Sequence, residues 1–184
     1  MKKDHQQTFE KKLLKELLSS EGFLGSNSLE NLKDKKAFFL GLRKGFSVYD
    51  LEKTLTTYFK VLDLVKSFNE SSLQILFVGC PPSLEVDIER ELSGSNHIFV
   101  KEDSWVLGSL TNYIQSGLSP NLIITYKDLR SFPSKECFKK ETPLISFVDD
   151  SCDFDFVDYP ILVNLKSKGA SAMYHNIIKQ SIST

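Results

Sequence analysis

Apolar side chains follow two patterns along this chain: short unbroken runs, and clusters that recur every three or four residues. The unbroken runs predict strands, because a strand covered on both faces of a sheet has no polar side to show to solvent. Five such strands are predicted, at 75–78, 97–100, 122–125, 144–148 and 161–163. Two shorter strands, at 37–40 and 46–49, are predicted on either side of a turn from Gly41 to Gly45.

The three-to-four-residue recurrence predicts amphipathic helices. At the N-terminus it predicts a helix over 9–18 that packs on the rest of the protein and shows its lysines to solvent. A longer helix is predicted from about 51 to 68 with Asp50 as its N-cap; its buried side comprises Leu51, Leu55, Phe59, Leu62 and Val65. Shorter helices are predicted at 83–92, 109–115, 134–140 and 170–181.

The alternation of strands and helices is typical of an α/β fold. It predicts a doubly wound, mainly parallel sheet with helices on both faces, similar to Rossmann or flavodoxin-like folds. A chain of 184 residues is the size of one domain. We therefore expect an N-terminal amphipathic helix over residues 1–21 followed by a single α/β domain over 22–184. No apolar run approaches the roughly 20 residues that cross a bilayer.

Cysteine, histidine and charge contents narrow the functional classes. The cysteines, at positions 80, 137 and 152, form no CxxC pair, which argues against a zinc ribbon or a disulfide framework and favours reduced thiols. The three histidines are too scattered to predict a metal site, so no metal and no cofactor are expected. The net charge is −1, and only three of the 23 basic residues are arginine. Few fork-like phosphate contacts are therefore expected.

Two loops are candidates for chemistry. Residues 79–82, Gly-Cys-Pro-Pro, follow a strand and open a helix, which is the place of a phosphate-binding loop, but the two prolines lack the N–H donors that such a loop needs. The second loop is rich in aspartate, with Asp149, Asp150, Asp153, Asp155 and Asp158. Carboxylates could hold Mg²⁺ there, or they could cap backbone N–H groups. The capping interpretation is favoured, because no paired Lys, His or Thr motif accompanies the aspartates.

Three blocks of sequence resemble one family. They are AFFLGLRKGFSVYDLEKTL at 37–55, WVLGSLTN at 105–112 and VDDSCDFDFVDYPILVN at 148–164. In this order they resemble the small-subunit ribosomal protein two family of bacterial and organellar type, and the resemblance covers about residues 17–182. It implies a non-enzymatic structural constituent of the small ribosomal subunit, which takes part in translation. The implied partners are ribosomal RNA and neighbouring ribosomal proteins, with no membrane and no small-molecule substrate.

The chain departs from that family in two places. After the first helix the family carries His-x-Gly-His and then Arg, Arg and Trp, of which only Gly25 is present here. Contacts made by those histidines and arginines therefore cannot be carried over. The family also inserts a long helical hairpin after L-T-N. Here Asn112 is followed almost at once by Gly117 and a strand, so we expect the hairpin to be missing.

Composition also suggests where the protein works. Residues 1–21 contain acids and no arginine, which makes them a poor targeting signal. The excess of lysine over arginine, the 14 phenylalanines and the expected lack of a presequence suit an A+T-rich organelle genome. These features predict a mitochondrial ribosome in the matrix and an organelle-encoded protein.

RNA contact is predicted to be electrostatic and carried by lysine-rich patches outside the sheet. The candidate residues are Lys33, Lys35, Lys36, Arg43, Lys44, Lys166 and Lys168, together with Trp105 and Asn112. The competing interpretations are ordinary solvated charges and, for Trp105, a packing role rather than base stacking. The rival function is a small α/β nucleotide- or metal-dependent enzyme that uses the loop from Asp149 to Asp158.

Overall fold

The computed structural model describes residues 2–26, 38–106, 108–112, 117–126, 136, 141–150 and 157–183, with side chains from residue 8 onwards. Seven strands and four α-helices lie in these ranges. The strands are β1 (Phe39–Arg43), β2 (Phe46–Tyr49), β3 (Ile75–Val78), β4 (Ile98–Val100), β5 (Leu122–Tyr126), β6 (Leu144–Val148) and β7 (Tyr159–Leu162). The helices are α1 (Lys2–Ser19), α2 (Leu51–Glu70), α3 (Glu85–Leu92) and α4 (Lys168–Ile182).

Strands β3 to β7 form one parallel sheet in the order β4-β3-β5-β6-β7. The register pairs Phe77 with Phe99 on one side and with Ile124 on the other, and it pairs Phe147 with Ile161 near the far edge. After β3 the chain moves out to the edge strand β4 and then returns past β3 to β5. The prediction of an α/β fold with a parallel sheet is confirmed.

The four described helices all contribute to the core on one face of the sheet. Tyr174 of α4 lies at its centre, where its hydroxyl donates to the Gly79 carbonyl at 2.8 Å and its ring meets Phe77 and Phe147 edge to face. The fully buried helical side chains around it include Leu17, Tyr58, Val61, Val65, Ile88, Met173, Ile177 and Ile178. This face therefore holds most of the described apolar core.

The opposite face carries a smaller cluster. Leu76, Val78, Ile123 and Leu144 pack there against the buried side chain of Leu110, which belongs to the loop after β4. The helix predicted at 134–140 lies outside the described residues, except for Glu136, which is helical and buried.

Several element boundaries differ from the sequence prediction for local reasons. Gly41 does not begin a turn; it lies within β1 beside a register shift, with a positive φ of +147° that favours glycine, and the turn itself is reduced to Lys44 and Gly45. Strand β7 begins at Tyr159 and includes Pro160. Proline has no N–H to donate, and an edge strand tolerates it because the N–H groups on the outer side of such a strand have no partner in the sheet. Residues 108–112 form a turn, not the start of the predicted helix.

Asp50 caps α2 as predicted, since its carboxylate accepts from the Lys53 N–H at 3.3 Å. Pro82 leads into a 3-10 turn, Pro82–Leu84, before α3 begins. Among the described residues no helix has both the length and the apolar character needed to cross a membrane.

Candidate nucleic-acid interface

Asp150, in the aspartate-rich loop, is a buried carboxylate surrounded by hydrogen-bond donors. One oxygen accepts from the Ser26 N–H at 2.7 Å and from the hydroxyls of Ser26 and Ser47, each at 2.8 Å. The other oxygen accepts from the Tyr49 hydroxyl at 3.2 Å. Four donors satisfy a buried carboxylate in the way that a metal ion otherwise would. Asp150 therefore joins β6 to the segment around Ser26 and to β2.

Tyr49 is held in its neutral form by the same arrangement. Burial, followed by the negative charge of Asp150, raises the pKa of Tyr49 well above its ordinary value. The protonated hydroxyl also accepts from the Asp150 N–H at 3.2 Å. The Tyr49 hydroxyl therefore keeps its proton near neutral pH and acts as a hydrogen-bond partner of Asp150.

Asp158 has an equally structural position. Its carboxylate accepts from the Leu144 N–H at 2.8 Å, and its own N–H donates to the Leu144 carbonyl at 3.1 Å, which starts the pairing of β7 with β6. Asp153 and Asp155 lie outside the described residues. Within the ranges that are described, no group of His, Cys, Asp and Glu is arranged to hold a metal ion. For Asp150 and Asp158 the capping interpretation is confirmed.

The β1–β2 hairpin presents Arg43 and Lys44 at its tip. Lys44 and Gly45 have φ values of +51° and +85°, the left-handed pair of a two-residue hairpin turn. On its other side β2 pairs with the segment around Gly25, whose N–H donates to the Ser47 carbonyl at 2.8 Å. A Cβ atom at Gly25 would lie 2.0 Å from the Ser47 hydroxyl oxygen. A side chain at this position would therefore collide with β2, so the close approach of the two segments requires glycine here.

A second joint follows β7 and carries the other predicted lysines. The Asn164 N–H donates to the Gly22 carbonyl at 2.9 Å, and its side-chain amide donates to the Glu21 carbonyl at 3.3 Å. Its side-chain oxygen accepts from the Lys166 N–H at 3.1 Å, which fixes the turn into α4. Lys166 and Lys168 are both exposed. The last residue of the third motif thus positions two cations beside the end of α1.

These two joints place the predicted basic residues around one segment. The hairpin that carries Arg43 and Lys44 and the turn that carries Lys166 and Lys168 both bond to residues 21–26. Lys33, Lys35 and Lys36 lie outside the described residues. The structure therefore attaches the two elements that carry these basic residues to the same segment, whereas Trp105 and Asn112 belong to a different loop.

That loop lies on the other face of the sheet and depends on a residue that sequence reasoning missed. The Glu136 carboxylate accepts from the Gly108 N–H at 2.7 Å and from the Leu110 N–H at 3.0 Å. Trp105 is half-buried against the second cluster, and its ring N–H is buried without a hydrogen-bond partner among the described residues. Asn112 is exposed. No local pattern could have identified Glu136, because its partners are backbone amides distant in sequence.

The loop after β3 does not have the chemistry of a phosphate site. The Gly79 N–H already donates to the Val100 carbonyl at 2.9 Å, and the two prolines that follow have no N–H. Burial, together with the nearby charges of Glu85 and Glu89, raises the pKa of the Cys80 thiol to about 11. The thiol is therefore protonated near neutral pH and is a poor nucleophile.

Comparison with known proteins gives a consistent picture. The family model described as Ribosomal protein S2 matches residues 17–132 and 115–184. The chain is similar to the small ribosomal subunit protein uS2 of Endomicrobium trichonymphae, with 23% identity over 193 residues and 79% of each chain covered. It is similar to the uS2 proteins of Mycolicibacterium vanbaalenii and Nocardia farcinica, each with 24% identity over 217 residues and 92% of this chain covered; the coverage of those relatives is 79% and 76%. An aligned length of 217 exceeds the 184 residues of this chain, so these relatives carry residues that have no counterpart here.

Proposed function

This chain belongs to the ribosomal protein S2 family, and from that premise we propose that it binds small-subunit ribosomal RNA and neighbouring proteins within a mitochondrial ribosome. Membership in the family implies a structural, non-enzymatic role in the small ribosomal subunit. The rival interpretation, an enzyme that uses the loop from Asp149 to Asp158, is therefore set aside.

The proposal rests on one observation: residues of the motifs that resemble the family form hydrogen bonds that join separate elements of the fold. Asp150 follows β6 and Asn164 follows β7, and the side chains of both form hydrogen bonds to other parts of the chain. In the first block, the buried Thr54 hydroxyl donates to the Leu162 carbonyl at 2.8 Å and ties α2 to β7. Residues used in this way build a rigid surface, which suits a scaffold component.

The RNA contact that we propose is carried by exposed cations at the rims of this surface. Arg43, Lys44, Lys166 and Lys168 are exposed, and no acidic residue is paired with them among the described residues. Lysine meets a phosphate as a point charge, so each contact is sensitive to salt. Each phosphate contact that is removed should lower the dependence of binding on salt concentration by about 0.7–0.9 in a logarithmic plot.

The test is retention on salt-washed small subunits. Replacing Lys35, Lys36, Arg43 and Lys44 with glutamine should weaken association with the particle and flatten its salt dependence. A matched control with three lysines and one arginine replaces Lys60, Lys66, Arg90 and Lys179, which are exposed on α2, α3 and α4. If the two variants are retained equally across the salt series, the hairpin side does not contact RNA.

The mitochondrial location is supported by composition, through the lysine-rich, arginine-poor basic set and the 14 phenylalanines. We expect the chain in the small-subunit fraction of purified, protease-treated mitochondria. Its recovery with cytosolic or bacterial small subunits alone would contradict the location and leave the ribosomal role intact.

A further inference from the structure

The β1–β2 hairpin carries a cluster of exposed apolar side chains. Of the eight large apolar side chains that are exposed among the described residues, three lie in the seven residues from Leu40 to Phe46: Leu40 at 71%, Leu42 at 51% and Phe46 at 46%. Single exposed apolar residues are ordinary, whereas a cluster marks an interaction surface. The cluster therefore makes the hairpin suited to an interaction.

The backbone of the hairpin indicates the chemistry of the occupant. Strand β2 pairs with β1 on one side and with Leu24 on the other, while β1 has no second strand partner among the described residues. An unpaired edge offers a row of N–H and C=O groups at the spacing of a polypeptide. An extended protein segment carries N–H and C=O groups at the same spacing and can pair with the whole row.

The charge of the hairpin further restricts the kind of segment that could dock on it. Residues 38–49 contain Arg43 and Lys44 and no acidic residue, although the whole chain has a net charge of −1. The two exposed leucines on β1 are aliphatic and offer RNA bases no stacking surface, whereas the aromatic and guanidinium groups that could stack, Phe46 and Arg43, lie next to the turn. A segment with apolar side chains and a net negative charge matches both features of the hairpin.

The hairpin is also held rigidly for such a contact. Asp150 accepts hydrogen bonds from Ser47 and Tyr49 of β2 and from Ser26 of the adjoining segment. A contact surface that is fixed in advance loses less conformational entropy on binding.

We infer that the outer edge of β1, with Leu40 and Leu42, is the docking site for an extended, acidic and apolar segment of a neighbouring small-subunit protein. The inference rests on the proposed function and names one partner class at the hairpin. In this arrangement Arg43 and Lys44, at the tip of the hairpin, lie close both to acidic residues of the docked segment and to RNA.

Site-specific photo-crosslinking in the assembled particle tests the inference. A photo-reactive amino acid replaces Leu42, and particles containing the variant are purified, washed in high salt and irradiated. The expected adduct is removed by protease, resists nuclease, and maps by mass spectrometry to one extended acidic segment. The same probe at Val86, which is 76% exposed on α3, should not give that adduct. An adduct to RNA alone, to a basic or helical segment, or no adduct would overturn the inference.

A pair of serine variants provides the second measurement. Leu40→Ser with Leu42→Ser should reduce retention on the particle roughly tenfold, because two buried leucines contribute at least that factor to an interface. The control is Leu73→Ser with Val86→Ser, two exposed apolar residues away from the hairpin. Equal retention of the two variants would overturn the inference. If the unchanged chain is itself missing from the small-subunit fraction, the proposed function fails, and that result is distinct from an RNA adduct or equal retention.

Discussion

The Asp150 carboxylate accepts four hydrogen bonds at a position that is only 4% exposed, so both its charge and its oxygens are needed. In Asp150→Asn the charge is lost, and the amide NH₂, in place of either carboxylate oxygen, can no longer accept a hydrogen bond from Ser26, Ser47 or Tyr49. We expect the free energy of unfolding to fall by about 2–3 kcal/mol. Chemical denaturation of the purified protein measures this change.

The control for that experiment is Asp63→Asn, an exposed change on α2 that should stay within about 0.5 kcal/mol of the parent. If the Asp150 and Asp63 variants are equally stable, the hydrogen-bond joint at Asp150 does not support the fold.

Four buried tyrosines predict a specific alkaline sensitivity. Burial raises the pKa of Tyr126 to about 12, and it also raises the pKa values of Tyr49, Tyr58 and Tyr174 well above their ordinary value. An unfolded tyrosine has a pKa of about 10, so above that pH the unfolded state loses its proton first. The stability is therefore complete below about pH 10 and is lost as the pH rises through the folded pKa values.

The expected slope is about 1.4 kcal/mol per pH unit for each tyrosine, beginning near pH 10. Urea unfolding at a series of pH values measures it. Tyr126→Phe removes one titrating group and should therefore reduce the slope between about pH 10 and 12 by about 1.4 kcal/mol per pH unit. A stability that does not change between pH 9 and 11.5 would contradict the raised pKa values.

At the scale of the elements, α1 is attached to the core by a narrow apolar stripe. Leu17 is fully buried and packs with the core on the helical face, whereas its neighbour Leu18 is 50% exposed. Leu17→Ala should lower the free energy of unfolding by about 2–4 kcal/mol, because it removes buried atoms and leaves a cavity. Leu18→Ala changes the same residue type in the same helix and should cost less than about 1 kcal/mol. Similar melting temperatures for the two variants would show that α1 is not packed as described.

How well each element could be predicted depends on where its stabilising contacts lie. The bounds of β3 and β6 agree with the sequence prediction, because every residue in them is buried and the apolar run is therefore the strand itself. The helix predicted at 109–115 is not formed in its described part, residues 109–112, which make a turn. Gly108 there has φ +88°, and a carboxylate that is distant in sequence, Glu136, takes the N–H groups of Gly108 and Leu110. No local pattern contains that information.

The candidate site shows the same division. The sequence identified Asp150 and Asn164 as members of one motif and favoured a capping role for the aspartates. It could not identify the donors, since Ser26 and Ser47 are 124 and 103 residues away from Asp150. The exposed leucines of β1 were also not predicted, because an apolar strand pattern normally indicates burial.

For the molecule as a whole, the carboxyl edge of the sheet has a structural use. In open α/β sheets this edge is where ligands commonly bind. Here the residues after β6 and β7 bond to the hairpin and to the end of α1, and the Gly79 carbonyl after β3 accepts from Tyr174. After β3, β6 and β7, positions at which an enzyme could hold a ligand are thus used to join elements of the fold.

The shortened connection after Asn112 gives a prediction for the assembled particle. Between Asn112 and β5, which begins at Leu122, there is no room for two antiparallel helices, since each needs about 12–15 residues to be stable in water. The family match in two overlapping segments and the longer aligned relatives agree with residues being absent from this chain. We expect a cryo-EM map of the particle to show this chain without a projecting arm and other proteins on the vacated surface. α1 cannot replace the arm without exposing Leu13 and Leu17, which are buried in the core. A helical arm formed by residues 1–21 in that place would therefore contradict both the prediction and the packing of α1 described here.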